Sequence, residues 1–320
     1  MDKIMIRKIY GLIALGAFLW LLPSVGLGQC NVSIGTTSYP SINDALNAAG
    51  PSTIINVSGT CNDIVTISAN KNNIALNGGK TAIITCQDPV PANVCATQGN
   101  IMIFGKQILI TGFEIKGGLD GIEVLQGGSA RIEANNIHDT ERFGIAVAQD
   151  SFATILSNTI NNNGVNPDLP VRAGIAVSDN SSAYVGILTL ADTVAQGNTI
   201  QNNPTGVFVS HSSTARIIGN VISNNTDDGI MVMRASQADI SDNTIDDNGQ
   251  NGIFVSQGSG VNLGNDTGNT IFDIPNSGTN GAKGLSCSIG GYVDGVVGTL
   301  RGIHGRYGFS KGCFNSVKLK

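Results

Sequence analysis

The stretch Asp242–Val255 reads DNTIDDNGQNGIFV, and one period earlier Gly219–Val232 reads GNVISNNTDDGIMV. Both carry Asn at the second place, Ile two places on, a polar run, and then Gly-Ile-x-Val. The Gly-[Ile/Val]-x-Val signature begins at Gly121, Gly144, Gly174, Gly206, Gly229 and Gly252, with gaps of 23, 30, 32, 23 and 23 residues. A period in the twenties marks a stacked repeat. Leucine-rich repeats need several leucines per unit, and these units supply Ile, Val and Asn. β-Branched residues favour strands, and no apolar face of helical period runs through the units. The pattern predicts an all-β solenoid, a parallel β-helix.

Aligning the units on their Gly brings out further columns. Seven places on stand Gly128, Ser151, Ser181, Ser213, Ser236 and Ser259; nine places on, Ala130, Ala153, Ala183, Ala215, Ala238 and Val261. Eleven places on come Ile132, Ile155, Val185, Ile217, Ile240 and Leu263, and fourteen places on Asn135, Asn158, Asn220 and Asn243, with Asn198 in register after an insertion. Each coil thus offers three short strands. One coil cannot bury its own apolar face, but rungs about 4.8 Å apart pair backbone to backbone and build a continuous core. The Asn column predicts an amide ladder, because buried polar groups need partners.

The expected organisation is a signal peptide over 1–28, an N-terminal cap over 29–50, a β-helix of roughly ten coils of about 23 residues over 51–275, and a C-terminal cap or tail over 276–320. In the cap, SINDALNAA (41–49) reads as a short amphipathic helix beginning at Ser41, with Ile42, Ala45, Leu46 and Ala49 on one face. At the start of the chain, Lys3, Arg7 and Lys8 precede an apolar run from Gly11 that ends in small residues, the pattern of a secretory leader. Retention as a membrane anchor is the rival reading. Gln29 stands before Cys30 where a lipidation site wants a small residue.

All six cysteines lie outside the leader, four before residue 100 and two after 285. An even count in an exported chain points to disulfides, and six cysteines allow 15 pairings; proximity favours Cys30–Cys61, Cys86–Cys95 and Cys287–Cys313 among them. Beyond residue 28 the chain has 15 basic against 22 acidic residues. With no basic stripe, nucleic acid is a poor partner.

The opening YPSINDALNAAG, TIINVSGTCNDIVTI and NIALNG, together with the Asn-rich coils, resembles the right-handed parallel β-helix proteins of the pectate-lyase-like superfamily. It is similar in particular to the Asn-rich periplasmic and secreted group that includes the nitrous-oxide reductase maturation protein and mannuronan epimerases. The resemblance covers most of residues 39–275 and implies the fold and a secreted or periplasmic location. For activity it implies little, since the superfamily holds lyases, hydrolases, epimerases, adhesins and non-catalytic members. Its catalytic motifs are mostly absent: NIHDTERFG lacks the Pro of an Asp-Pro-His-Asp core, and NTIDD and IHGRYG match polygalacturonase motifs only superficially.

A solenoid displays function in outward columns. If Ile and Val of Gly-Ile-x-Val point inward, the intervening residue points out; that column reads Glu123, Ala146, Ala176, Phe208, Met231 and Phe254. Phe208, Met231 and Phe254 form an apolar stripe, read as a platform for a polysaccharide, as a surface covered by the C-terminal segment or a partner subunit, or as the interface of a structural surface or adhesion protein. At the strand exit stand Gln126, Gln149, Asp179, His211, Arg234 and Gln257. Asp179, His211 and Arg234 on adjacent coils could act as base, acid and carboxylate clamp on an acidic glycan, in a lyase or an epimerase. The bland alternative is an exposed polar corner. Two insertions lengthen the coils; the first carries Asp168 and Arg172 and borders the Gly-Ile-x-Val face. No cofactor is expected, although the turn acids Asp227, Asp228, Asp246 and Asp247 could hold Ca²⁺.

Overall fold

A computed structural model describes residues 28–86, 95–189, 192, 194–264, 279–296 and 300–318. The expected leader lies almost wholly outside these residues. The described chain is a right-handed parallel β-helix whose coils stack in the register read from the sequence. Ile122, Ile145, Ile175, Val207, Ile230, Ile253 and Leu285 are successive partners on the Gly-Ile-x-Val face. That sheet runs through ten strands, from Val65–Ile67 to Tyr307–Phe309. A second face is built from Ala-x-Ile strands such as Phe152–Leu156, Thr214–Ile218 and Gln237–Ser241, and a third from Asn136–His138, Thr159–Asn161, Thr199–Gln201, Val221–Ser223 and Thr244–Asp246.

Inside the tube the columns form one core, continuous from Val32 to Leu300 and dominated by wholly buried Ile and Val. Each such side chain contributes roughly 1.5–3 kcal/mol on burial. The Gly column of Gly-Ile-x-Val has a steric cause. A Cβ on Gly144 would stand 2.7 Å from the Gly174 carbonyl oxygen and 2.8 Å from Ile160 Cγ2.

The three corners of the coil carry three side-chain ladders, of which the sequence had disclosed one. In the expected ladder, Asn158 Nδ2 donates to Asn198 Oδ1 at 3.0 Å, Asn198 Nδ2 to Asn220 Oδ1 at 2.8 Å and Asn220 Nδ2 to Asn243 Oδ1 at 3.0 Å. A second runs through Asn163, Asn203, Asn225, Asn248 and Asn280 at the corner before Gly-Ile-x-Val. At the third corner, the Ser181, Ser213, Ser236 and Ser259 hydroxyls accept from the backbone N–H of the preceding rung's Ser at 3.0–3.2 Å. A residue with left-handed backbone precedes most ladder positions, for example Ser157, Asn202 and Ser212. These turns swing the chain while the ladder satisfies the buried amides beneath.

At the N-terminus the helix Ile42–Ala48 is capped by Ser41, whose Oγ accepts from Asp44 N, and it buries Ile42, Ala45 and Leu46 against the first coil. The strand Asn31–Ile34 pairs antiparallel with Thr37–Tyr39 and with Ile54–Asn62, closing the stack's first edge. The far end differs from the expected cap or tail after residue 275. Leu285–Cys287 and Tyr307–Phe309 extend the Gly-Ile-x-Val sheet, and Tyr292–Gly295 and Phe314–Asn315 extend the Ala-x-Ile face. The Gly-rich composition there hides coils that lack the Gly-Ile-x-Val signature and keep a ladder Asn only at Asn280. Disulfides join Cys30–Cys61, Cys86–Cys95 and Cys287–Cys313, the pairs expected from proximity.

Candidate functional site

The outward column of the Gly-Ile-x-Val sheet is in register from Glu123 through Ala146, Ala176, Phe208 and Met231 to Phe254. Phe208 lies outside the tube, in an apolar cluster separate from the core, with Ala173 and Ala176. It is nonetheless only 5% exposed. Phe143, Val171, Met231 and Met233 pack against the cluster, and Val171 belongs to the first insertion. The cover over the stripe therefore includes the chain's own inserted loop, a third possibility beside the C-terminal segment and a partner subunit. Met231 and Phe254 remain half-buried on the two rungs beyond.

That loop is tied down by its own polar groups. Arg172 Nη1 donates to the Gly164 carbonyl at 2.8 Å, and Asn166 Nδ2 reaches Glu141 Oε2 at 3.2 Å. Arg172 is thus partly committed to holding the loop, whereas Asp168 stands exposed on it, its backbone N–H donating to Asn166 Oδ1.

Asp179, His211 and Arg234 do come together at the strand exits. His211 Nδ1 lies 3.6 Å from Asp179 Oδ1 and 3.1 Å from Ser210 Oγ, and Arg234 Nη1 lies 3.2 Å from His211 Nε2. All three have left-handed backbones, with φ of 54°, 54° and 58°. They are exposed, so their mutual attraction is screened by water and worth little as stability. Chemically the file offers an acceptor, a proton carrier and a fixed cation along the edge of the apolar stripe.

A buried ionic cluster lies at the stripe's other end, where the sequence shows only the single acid Glu123 in the outward column. Asp120 is fully buried and accepts from Phe143 N at 2.9 Å and from Arg142 Nε at 3.1 Å, with Arg142 Nη2 in contact with its other oxygen. Arg142 also approaches Glu123 Oε1 at 3.4 Å and lies 4.8 Å over the Phe143 ring. Gly99 N donates to Glu123 Oε2 at 3.3 Å. Burial, then the hydrogen bond to and the charge of Asp120, push the Glu123 carboxyl up to about 8, against the opposing charge of Arg142. Glu123 therefore sits on the face as a neutral acid at neutral pH. The available signal was an acid in an otherwise small or apolar column.

Of the turn acids, Asp228 is buried and accepts from Asn251 N and Nδ2, both at 2.8 Å; burial raises its carboxyl above the usual range. Among the described residues no group of three or more His, Cys, Asp or Glu side chains converges on a possible metal position. Among the described residues the turn acids that could hold Ca²⁺ are not gathered into one group. Register fixes Asp246 and Asp247 one corner away from the Gly-Ile-x-Val entrance where Asp228 sits.

Comparison with solved structures returns the same architecture. The periplasmic alginate epimerase AlgG matches at 15% identity and TM-score 0.49, over 82% of this chain and 61% of that one. A mutant form of AlgG reaches TM-score 0.50 at 16% identity, over 78% of this chain and 59% of that one. The A-module of the mannuronan C-5 epimerase AlgE6 from Azotobacter vinelandii matches at 12% identity and TM-score 0.43, over 80% of each chain. The chain thus spans about three fifths of the AlgG length, and the likeness at this identity is one of fold. No curated protein matches the sequence. The family model described as "Periplasmic copper-binding protein (NosD)" matches residues 87–280, more than half of the 320 residues, and the chain belongs to that family.

Proposed function

We propose that the protein binds a polysaccharide outside the cytoplasm, along its Gly-Ile-x-Val face. The single observation that carries this reading is the file Asp179–His211–Arg234, exposed and linked at 3.6 and 3.2 Å, beside the half-buried Met231 and Phe254. Sugars present apolar C–H faces and hydroxyl edges together, and a strip with an apolar floor and a polar rim complements both. Phe208, beneath the loop, supports the floor; the loop bearing Asp168 walls one side, and Arg172 holds it shut. The family is periplasmic by description. No helix among the described residues is long and apolar enough to cross a membrane.

A glycan array followed by calorimetric titration tests the reading. Phe254→Ala and His211→Ala should each weaken the best glycan at least tenfold. Binding that survives both unchanged removes the site. If no glycan binds and sedimentation shows an oligomer lost in Phe254→Ala, the stripe is a subunit interface instead.

One observation favours a catalytic version: the His211 imidazole lies between a carboxylate and a guanidinium. On a uronate polymer, Arg234 would clamp the sugar carboxylate, Asp179 would take the proton beside it and His211 would protonate the departing glycosidic oxygen, which leaves an unsaturated uronate. Reprotonation of the same carbanion from the other face, with the glycosidic bond kept, gives the epimer instead. Ultraviolet absorbance of the unsaturated product, and proton exchange at that carbon, are the readouts.

The family description also names copper. All six cysteines are consumed in disulfides. His138 is engaged by Glu114 and Asp139, His211 by Asp179 and Arg234, and His304 is exposed elsewhere. Copper selects thiolate, thioether and imidazole donors, and the described residues gather no such histidine or cysteine set. They do not fit a copper centre, and no step is assigned to the metal.

A further inference from the structure

We infer that the protein has a second saccharide site, for a neutral oligosaccharide, on the outer face of the Ala-x-Ile sheet. This site does not depend on the Gly-Ile-x-Val reading, since the Ser-ladder corner separates the two faces. A groove of about 330 Å³ crosses the strands Phe152–Leu156, Ser182–Val185, Thr214–Ile218, Gln237–Ser241 and Gly260–Leu263. Its volume falls within the range of small-ligand sites.

One end is an aromatic wall. The Phe152 and Tyr184 rings meet edge to face, with centroids 5.3 Å apart and planes at 87°, so each holds the other in place. The next two rungs bring Thr214 and Arg216, then Gln237 and Asp239, and Asn262 follows on the third. Arg216 Nη2 and Asp239 Oδ2 are 3.2 Å apart, and both side chains are about a third exposed. The floor dips where Gly260 lies under Gln237: a Cβ there would come within 2.3 Å of the Gln237 side-chain Oε1. Beyond the dip the same column continues through Tyr292 to Phe314, both exposed. Tyr184 and Tyr292 are four rungs apart, about 19 Å at the usual strand spacing, so the trough suits a short chain rather than one ring.

The chemistry selects the occupant. A ring with an apolar C–H face stacks on the aromatic wall. Its hydroxyls find an amide at Gln237, another at Asn262, a hydroxyl at Thr214 and a guanidinium–carboxylate pair able to donate and accept at once. Arg216 is balanced by Asp239 and its groove neighbours are uncharged, so nothing attracts a polyanion. A neutral, hydroxyl-rich chain matches this balance, and an apolar protein surface would strand the polar floor.

Cellotetraose, maltotetraose and chitotetraose, each titrated against tetragalacturonate by ligand-observed NMR on the full chain, test the inference. At least one neutral tetrasaccharide should bind more tightly than tetragalacturonate. Tyr184→Ala should weaken it at least tenfold, while His211→Ala on the other face leaves it within twofold. Gln237→Ala, an exposed substitution that spares the core, should weaken it at least threefold if Tyr184→Ala fails to fold. Binding by none of the neutral probes, preference for the uronate, or binding indifferent to both groove variants would overturn it. So would a concentration-dependent dimer abolished by Tyr184→Ala, which would make the groove an interface.

Discussion

Asn220→Ala is the sharpest test of what holds the coils together. Asn220 is 1% exposed in the middle of its ladder. Its Nδ2 donates to the Val185 carbonyl at 2.9 Å, the Ile218 carbonyl at 3.1 Å and Asn243 Oδ1 at 3.0 Å. Its Oδ1 accepts from Asn198 N at 2.9 Å and Asn198 Nδ2 at 2.8 Å. Truncation strands the buried Asn198 N–H and removes the four other hydrogen bonds of the Asn220 amide. A stranded group costs about 1–3 kcal/mol and each lost bond about 0.5–1.5 kcal/mol, so the expected loss is about 3–5 kcal/mol. Urea denaturation followed by circular dichroism measures it, with the slope compared between variants, because a solenoid can lose a coil without unfolding throughout. The exposed Asn136→Ala is the control and should change stability by less than about 0.5 kcal/mol. A loss below about 1 kcal/mol for Asn220→Ala at unchanged slope would refute the ladder as a cooperative support.

Two further outcomes follow from the buried chemistry. Glu123, raised from 4.5 to about 8, keeps in the folded state a proton that the unfolded chain releases. Its contribution is fully present below about pH 4.5 and is lost as pH rises through about 8, a span on the order of 4 kcal/mol at the upper end. Melting temperature should therefore fall across that window in the parent and fall less in Glu123→Gln; superimposable pH profiles would show that Glu123 is not the group responsible. Removing Cys287–Cys313, which joins residues 26 apart, should cost up to about 3 kcal/mol locally. Hydrogen exchange in a Cys287→Ser, Cys313→Ser chain should quicken over 285–315 and stay unchanged over 121–255, whereas uniform quickening would mean that the stack unfolds as one unit.

The fold was legible because stacking repeats the same steric demand at every rung. Gly144 and its equivalents must lack a side chain, Ile145 and its equivalents must fill the tube, and Asn158 and its equivalents must bridge. Such demands leave columns in a single sequence. The second Asn ladder was present as letters but masked by the Asn-rich turns around Asn162, Asn202 and Asn224, where the same residue type serves a left-handed backbone. Beyond residue 275 the columns lose Gly-Ile-x-Val and keep a ladder Asn only at Asn280, so coils read as a tail.

Sequence alone determined the coil, its register, the inward columns and the adjacency of Asp179, His211 and Arg234, because side-chain alternation and a fixed rung spacing are local rules applied repeatedly. Tertiary structure alone decided what lies over the outward columns. Val171, from an insertion with no counterpart in other coils, packs against the Ala173–Ala176–Phe208 cluster, Arg142 stacks on Phe143 and reaches Glu123, and Phe152 meets Tyr184 on the adjacent rung to wall a groove. These contacts arise from loops and side-chain rotamers that occur once each, and what occurs once leaves no periodic trace in the chain.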